Sequence, residues 1–146
     1  MDLNSIFTHP SDISGKITYS NYTPATSPGW PKHNVPNPEL VYLVEGKITA
    51  EDPDNPRTIL TPGDIVLLRP GKPCDLLIDK GDTSTVISCI HFDVLNNSAV
   101  KGKGAESSLP WVISTKGDMR VLELFRLCSV EFKGYNPYRE ELLSAM

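Results

Sequence analysis

Short apolar runs, each closed by glycine or proline, follow one another through the first two thirds of the chain. Residues 39–45 are rich in β-branched and aliphatic side chains and stop at Gly46. A second run, residues 65–68, follows the tight turn Thr-Pro-Gly-Asp at 61–64, where proline presets φ and glycine accepts a positive φ without steric cost. Short strands separated by regular turn signals indicate an antiparallel sandwich or barrel.

The same reasoning divides the β-rich part of the chain into strands and connections. The predicted strands are residues 16–22, 39–50, 57–60, 64–68, 75–78, 83–94 and 111–114. Residues 1–38 carry six prolines and are predicted to form an N-terminal arm with one edge strand, because proline cannot donate to a central ladder. Residues 96–108 are small and polar, which predicts a surface loop. Residues 39–116 are therefore predicted to form the β domain.

After Gly117 the apolar period changes to that of a helix. The residues at helical spacing are Val121, Leu124, Phe125, Cys128 and Phe132. Asp118 is a candidate N-cap, and Gly134 is a candidate residue just beyond the C-cap. Pro137 stands where a second helix would begin. Residues 117–146 are therefore predicted to be C-terminal helices, and we expect the natural protein to continue past Met146.

Composition narrows the class of protein. The 146 residues suffice for a single core, and 39% hydrophobic with 22% charged residues is ordinary for a globular domain. The chain shows no basic and apolar leader, and no run near the roughly 20 apolar residues of a membrane span, so we expect a cytoplasmic protein. Cys74, Cys89 and Cys128 show no paired spacing and are expected to be reduced and buried. The net charge of −4 opposes direct binding to nucleic acid.

Two segments carry a resemblance to a known family. Glu39, followed by Gly46, matches the end of the first cupin motif, and Gly63 with Gly71 follows the spacing of the second, with Arg69 where proline is usual. The segments ELVYLVEG, LTPGDIVLLRPGKP and IHF more specifically resemble the N-terminal effector domain of AraC-type transcription regulators, over about residues 39–92.

That resemblance implies both a fold and a function. The fold is a cupin-like double-stranded β-helix, a mainly β jelly-roll barrel followed by C-terminal α-helices. The implied function is to sense a small polar effector, with a sugar as the favoured class, and to form a homodimer. DNA binding in this family belongs to a separate C-terminal helix-turn-helix domain, which these residues do not contain.

The cupin resemblance also raises the question of a metal. The metal positions of cupin enzymes correspond here to His33, Val35, Glu39 and Cys74, so that two of the four ligands are changed. The remaining donors could bind Zn²⁺, although thiolate disfavours Fe(II) and Mn(II). We expect no metal and no other cofactor. The alternatives are a stand-alone cupin enzyme with an unusual His/Glu/Cys site and a stand-alone carbohydrate-binding or scaffold module.

Glu39 is the residue that most directly suggests a ligand site. A carboxylate facing a barrel interior is costly unless it is paired or hydrogen-bonded. Sugar hydroxyls could supply the partner, with aromatic side chains against the sugar ring. Alternatively, Glu39 pairs with Arg57 or Arg69, or lies at a solvated mouth. The candidate ligand-binding residues are Trp30, His33, Glu39, Tyr42, Cys74, His91 and Trp111.

Catalysis is not expected at these positions. A lone histidine such as His91, on a central strand, is more often structural than a ligand, and no Ser/His/Asp set accompanies it. Cys74 lacks an evident base that would make it a nucleophile. The chain is therefore predicted to be a binding domain and not an enzyme.

The first C-terminal helix has apolar residues on nearly every side. Val121, Leu124, Phe125 and Cys128 are predicted to pack onto the barrel. The family resemblance implies that the corresponding helices also form the dimer contact. The candidate dimer residues, which are predicted to point away from the barrel, are Leu122, Leu127 and Val130.

Overall fold

The computed structural model describes residues 15–94 and 111–133, and these residues form nine β-strands and one α-helix. The strands are β1 Gly15–Pro24, β2 Gly29–His33, β3 Glu39–Glu45, β4 Ile48–Asp52, β5 Asn55–Leu60, β6 Asp64–Leu68, β7 Cys74–Leu77, β8 Val86–Val94 and β9 Val112–Ser114. The helix, α1, is Met119–Lys133.

The strands pair antiparallel in two sheets. The five-stranded sheet has the order β1-β8-β3-β6-β9, and the four-stranded sheet has the order β2-β7-β4-β5. Their inner faces pack against each other, and α1 covers the outer face of the five-stranded sheet. The predicted mainly β fold of the jelly-roll type is confirmed.

Among the described residues, no helix combines the length and the apolar character needed to span a membrane.

Two glycines set the path of the chain between strands. At Gly46, φ is 88°, and a Cβ there would lie 2.6 Å from the Cα of Thr85. At Gly63, φ is 97°, and a Cβ would lie 2.9 Å from the backbone nitrogen of Gly117. Only glycine combines this φ with so close an approach. The predicted strand 39–50 is divided at Gly46 into β3 and β4, which belong to different sheets.

The alternation of side chains along the five-stranded sheet produces two cores. The inner core, between the sheets, contains Ala25, Val35, Val41, Leu43, Ile48, Ala50, Leu60, Val66, Leu68, Cys74, Leu76, Ile78, Ile87 and Cys89. The outer core, between the five-stranded sheet and α1, contains Tyr42, Ile65, Ile90, Ile113, Phe125 and Cys128. Each core therefore takes alternate residues of β3 and β8.

The predicted N-terminal arm is in part wrong. Its edge strand is β1, which ends the five-stranded sheet as expected, but β2 lies in the same segment and pairs with β7. The sequence signal for β2 is weak, because the strand contains Pro31 and pairs on one side only, which is where proline is tolerated. This segment thus contributes β1 to the five-stranded sheet and β2 to the four-stranded sheet. The predicted loop 96–108, Gly134 and the second helix lie outside the described residues.

Helix α1 begins as predicted and packs differently from the prediction. The backbone N–H of Arg120 donates to Asp118 Oδ1 at 2.9 Å, which is an N-cap. Leu122 was expected to point away, yet it packs against the outer core, whereas Leu124 is 40% exposed. The reason is that the contact face is centred on Phe125 and Ser129, both buried, and Leu122 lies on that face at helical spacing.

Candidate functional site

A cavity of about 180 Å³ lies between the two sheets, beside the edge strand β1. It is lined by Tyr19, Asn21, Thr23, Trp30, His33, Glu39, Val41, Leu76, Ile87, Cys89 and His91. These residues come from β1, β2, β3, β7 and β8, so both sheets contribute to the walls. Polar and aromatic groups share the lining, which is the usual character of a small-molecule site.

Glu39 is the most buried charged residue of the cavity, with 5% exposure. Its two carboxylate oxygens contact two different histidines. Oε2 lies 3.3 Å from His33 Nε2, and Oε1 lies 3.3 Å from His91 Nε2. Glu39 and His91 are register partners in β3 and β8, whereas His33 reaches across from β2. Glu39 is therefore held by histidines, while Arg57, considered above as a partner, is exposed.

His91 is held on its other side by Asn37. The amide nitrogen of Asn37 donates to Thr18 Oγ1 at 2.7 Å and to Asp93 Oδ1 at 3.3 Å. The Thr18 hydroxyl can donate or accept, but an ionised carboxylate such as Asp93 only accepts, which fixes the amide orientation with Asn37 Oδ1 facing His91 Nδ1 at 3.3 Å. An amide oxygen can only accept, and His91 therefore donates its Nδ1–H to Asn37.

Cys89 stands two residues before His91 on β8, so both side chains point into the cavity. Burial, together with the negative charge of Glu39, raises the pKa of the Cys89 thiol to about 12. The ligand atoms of Glu39, Cys89 and His91 all lie within 4.8 Å of one another. A set of thiol, imidazole and carboxylate at this spacing could hold a metal ion.

The metal ligands that the cupin resemblance implied do not assemble as a set. Val35 is buried in the inner core and offers no ligand atom. Cys74 also belongs to the inner core, opposite His33 in the pairing of β2 with β7, and burial raises the pKa of its thiol to about 12. Of the implied positions, Glu39 is the one shared with the cluster that contains Cys89 and His91.

Four of the seven residues predicted for ligand binding line the cavity: Trp30, His33, Glu39 and His91. Tyr42 does not, because it lies three positions from Glu39 on a strand and so faces the outer core, where its ring centroid is 5.2 Å from that of Phe125. Trp111 packs against the inner core outside this cavity.

The prediction from sequence missed several lining residues. Cys89 shares the inward face with His91 in the segment CIHF, and period-2 alternation alone would have placed it there. Tyr19, Asn21 and Thr23 alternate on β1 in the same way. The proline content of residues 1–38 predicts an arm and gives no indication that β1 lines a cavity.

A chain of aromatic contacts leads from the cavity to α1. The ring centroids of Tyr19 and His91 are 5.4 Å apart, with the planes at 74°. Tyr19 also meets Phe132, near the end of α1, with centroids 5.4 Å apart at 70°. Both are edge-to-face geometries, which favour contact between aromatic rings. Tyr19 therefore connects the cavity to the helix.

Comparison with known proteins gives a likeness in structure. No family model matches the chain, and no curated protein matches it in sequence. Among solved structures, the apo form of a lysine-to-alanine variant of ToxT from Vibrio cholerae is similar with a TM-score of 0.56 and 11% identity. The match covers 90% of this chain and 52% of that one, so the chain spans about half the length of its structural relative. The fold described above is thus one that also occurs within ToxT.

Proposed function

We propose that this chain is the effector-binding and dimerisation domain of an AraC-type transcription regulator, and that its effector is a sugar. Two independent lines support the family: the sequence resemblance over about residues 39–92 and the fold shared with ToxT, an AraC-family regulator. The observation that carries the proposal is the cavity built around Glu39. The role is binding, not catalysis, and DNA contact would belong to a C-terminal domain beyond these residues.

The lining of the cavity suits a sugar. A sugar ring presents an apolar face, which Trp30 can meet, and hydroxyl groups, which need acceptors and donors. Glu39 keeps acceptor capacity after contacting two histidines, because an ionised carboxylate has about four lone-pair sites. Asn21 and Thr23 add polar groups on the β1 side. A cavity of about 180 Å³ is on the scale of a single small ring.

Tyr19 offers a route from the effector to the rest of the regulator. It is 43% exposed and contacts both His91 in the cavity and Phe132 on α1. A ligand changes the population of a conformation only if it binds that conformation more tightly than the alternative. An effector that fixes Tyr19 in one position would favour one placement of the end of α1, which is how binding would reach the dimer.

The proposed dimer surface is the outward face of α1. It carries four exposed apolar side chains: Met119, Leu124, Leu127 and Val130. Leu127 and Val130 keep the role predicted from sequence, whereas Leu122 is engaged with the outer core and is replaced in the proposal by Leu124. Exposed apolar residues that cluster on one helix face are typical of an interaction surface.

Thermal melting with a panel of sugars and sugar acids tests the sensing role. A ligand at a hundredfold excess over its Kd stabilises the folded state by roughly 2.7 kcal/mol. We expect at least one sugar to raise the melting temperature, and Glu39→Ala and Trp30→Ala to weaken its affinity through a lost acceptor and a lost stacking face. Trp111→Ala is the matched control, since Trp111 packs outside the cavity.

Two outcomes would count against this proposal. A sugar whose affinity is unchanged in both Glu39→Ala and Trp30→Ala binds elsewhere, and the pocket assignment is then wrong. If no compound in the panel shifts the melt, the sensing role is abandoned, and the domain is left with dimerisation alone.

A further inference from the structure

The ring of His91 faces an oxygen atom on each side. Its Nδ1–H donates to Asn37, and its Nε2 faces Glu39 Oε1 at 3.3 Å. The thiol of Cys89, two residues earlier on β8, enters the same cavity. An imidazole nitrogen, a carboxylate oxygen and a thiol sulfur therefore lie within 4.8 Å of one another.

We propose that Glu39, Cys89 and His91 bind a divalent transition-metal ion of the zinc class. Metal–ligand bonds of about 2.0–2.3 Å at tetrahedral angles place the ligand atoms roughly 3.3–3.8 Å apart. Glu39 Oε1 and His91 Nε2 already stand 3.3 Å apart, and all three ligand atoms lie within 4.8 Å of one another.

The surroundings of these three residues match those of a metal site. A metal-bound histidine usually donates its other ring N–H to an oxygen acceptor, which Asn37 supplies here. Bound carboxylates are also hydrogen-bonded, and His33 Nε2 reaches the second oxygen of Glu39 at 3.3 Å. Asn37 and His33 are therefore positioning residues, which hold the ligands in place without needing to touch the ion.

The chemistry of the donors selects the ion. Thiolate, imidazole and carboxylate are all ligands of Zn²⁺, whereas Mg²⁺, Ca²⁺ and Mn²⁺ prefer oxygen donors throughout. The ion binds the thiolate of Cys89, and the thiol proton is released to the solvent. Three protein ligands leave one tetrahedral position open towards the cavity.

This set differs from the one that the cupin resemblance implies. That set is His33, Glu39 and Cys74, and only Glu39 belongs to the cluster proposed here. The present inference uses Cys89 and His91, neighbours on one face of β8. It does not depend on the chain being part of a regulator.

Titration with Co²⁺ tests the site, because a thiolate bound to Co²⁺ gives a near-ultraviolet charge-transfer band that oxygen and nitrogen ligands do not give. The full 146-residue chain, reduced and stripped with a chelator, is titrated first with Co²⁺ and then with Zn²⁺. We expect the band to saturate at one ion per chain and to disappear when Zn²⁺ displaces the cobalt. Cys89→Ser should remove the band, while Cys74→Ser and Cys128→Ser, the matched buried cysteines, should keep it.

A second substitution tests the positioning role of Asn37. Asn37→Ala leaves all three ligands in place and removes the acceptor of His91 Nδ1–H. Loss of such a partner lowers metal affinity by about 10- to 100-fold. We expect that weakening with the spectrum of the bound ion retained, whereas His91→Gln should change the spectrum itself.

The proposal is overturned if the unmodified chain gives no thiolate band at stoichiometric Co²⁺, because the three side chains then do not bind the ion together. A band that persists in Cys89→Ser overturns it equally. Failure here is distinguishable from failure of the sugar proposal. Trp30→Ala should weaken sugar binding and leave the cobalt spectrum unchanged, whereas Cys89→Ser should remove the cobalt band in a titration without any sugar.

Discussion

The two faces of the five-stranded sheet are built from the same strands and differ in what they hold. On β3 and β8, the outward residues Tyr42 and Ile90 join an outer core completed by Phe125 and Cys128 of α1. The inward residues Glu39 and His91 of the same two strands line a cavity. Period-2 alternation therefore separates a packed apolar layer from a polar site by the thickness of one sheet.

The difference shows where stability and binding reside. The outer core gains from burial and close packing of its apolar side chains. The inner face accepts a buried carboxylate and unfilled volume, both of which cost free energy. Departures from the rules of good packing are expected at functional sites, and here the buried carboxylate and the cavity share the inner face.

The largest effect that would test this comparison is on the outer core. Phe125 is buried and packs on Tyr42. Truncation of a buried phenylalanine costs about 3–5 kcal/mol, from lost burial together with the cavity left behind. We therefore expect Phe125→Ala to lower the free energy of unfolding by about that amount in urea titrations, while ligand affinity in the folded fraction stays unchanged.

A control for this change lies on β5. Ile59 is 57% exposed, and Ile59→Ala should shift stability by no more than about 0.5 kcal/mol, as exposed substitutions usually do. If Phe125→Ala costs as little as Ile59→Ala, then α1 does not contribute to the outer core, and the two-faced description of the sheet is wrong.

A smaller effect on folding, with a large effect on assembly, is expected on the far side of α1. Leu127 and Val130 are 42% and 59% exposed. The double change Leu127→Asp with Val130→Asp should produce monomers with the sandwich still folded, because unpaired charges in an apolar interface are desolvated at a cost. Sedimentation velocity over a range of concentrations measures the change.

Two comparisons make that experiment specific. Ile59→Asp introduces the same kind of charge on β5 and should leave assembly intact. Leu122→Asp should instead destabilise the fold, since Leu122 packs on the outer core. An unmodified chain that sediments as a monomer at every concentration would remove the dimer from the proposal.

Much of the fold follows from the sequence, because its signals are local. Strand β6 was predicted with the bounds that it has, Asp64–Leu68, since a proline–glycine turn precedes it and apolar residues fill it. The N-cap at Asp118 was also predictable from residue type and position. In contrast, β2 was missed because an edge strand needs few apolar residues and tolerates Pro31.

The candidate site was predictable only in part, because its residues are brought together by pairing between strands. Glu39 was identified from its place at the start of an apolar run, but its partners depend on register. His91 lies directly opposite it on β8, and His33 reaches it from the other sheet. Neither pairing is encoded in local pattern. Tyr42 was misplaced although the strand period alone puts it on the face opposite to Glu39.

The smallest expected effect concerns the exposed start of α1, which belongs to neither core. Arg120 holds the pKa of the Asp118 carboxyl at about 2, below its ordinary value of 3.8, by hydrogen bonding and charge. A carboxyl whose pKa is lowered by folding stabilises the folded state above its unfolded pKa, and this contribution disappears as the pH falls from 3.8 to about 2.

Asp118→Asn keeps a side-chain oxygen for the N-cap and removes the titrating charge. We therefore expect the stability of the unmodified chain to fall slightly more steeply than that of Asp118→Asn over this pH range. Added salt should reduce the difference, because Arg120 is exposed and Asp118 is partly exposed. Thermal melts of the two proteins at matched ionic strength measure it. Parallel pH profiles would mean that the Asp118–Arg120 pair acts only as a cap, and that the charge at the helix start contributes nothing to holding α1 on the sheet.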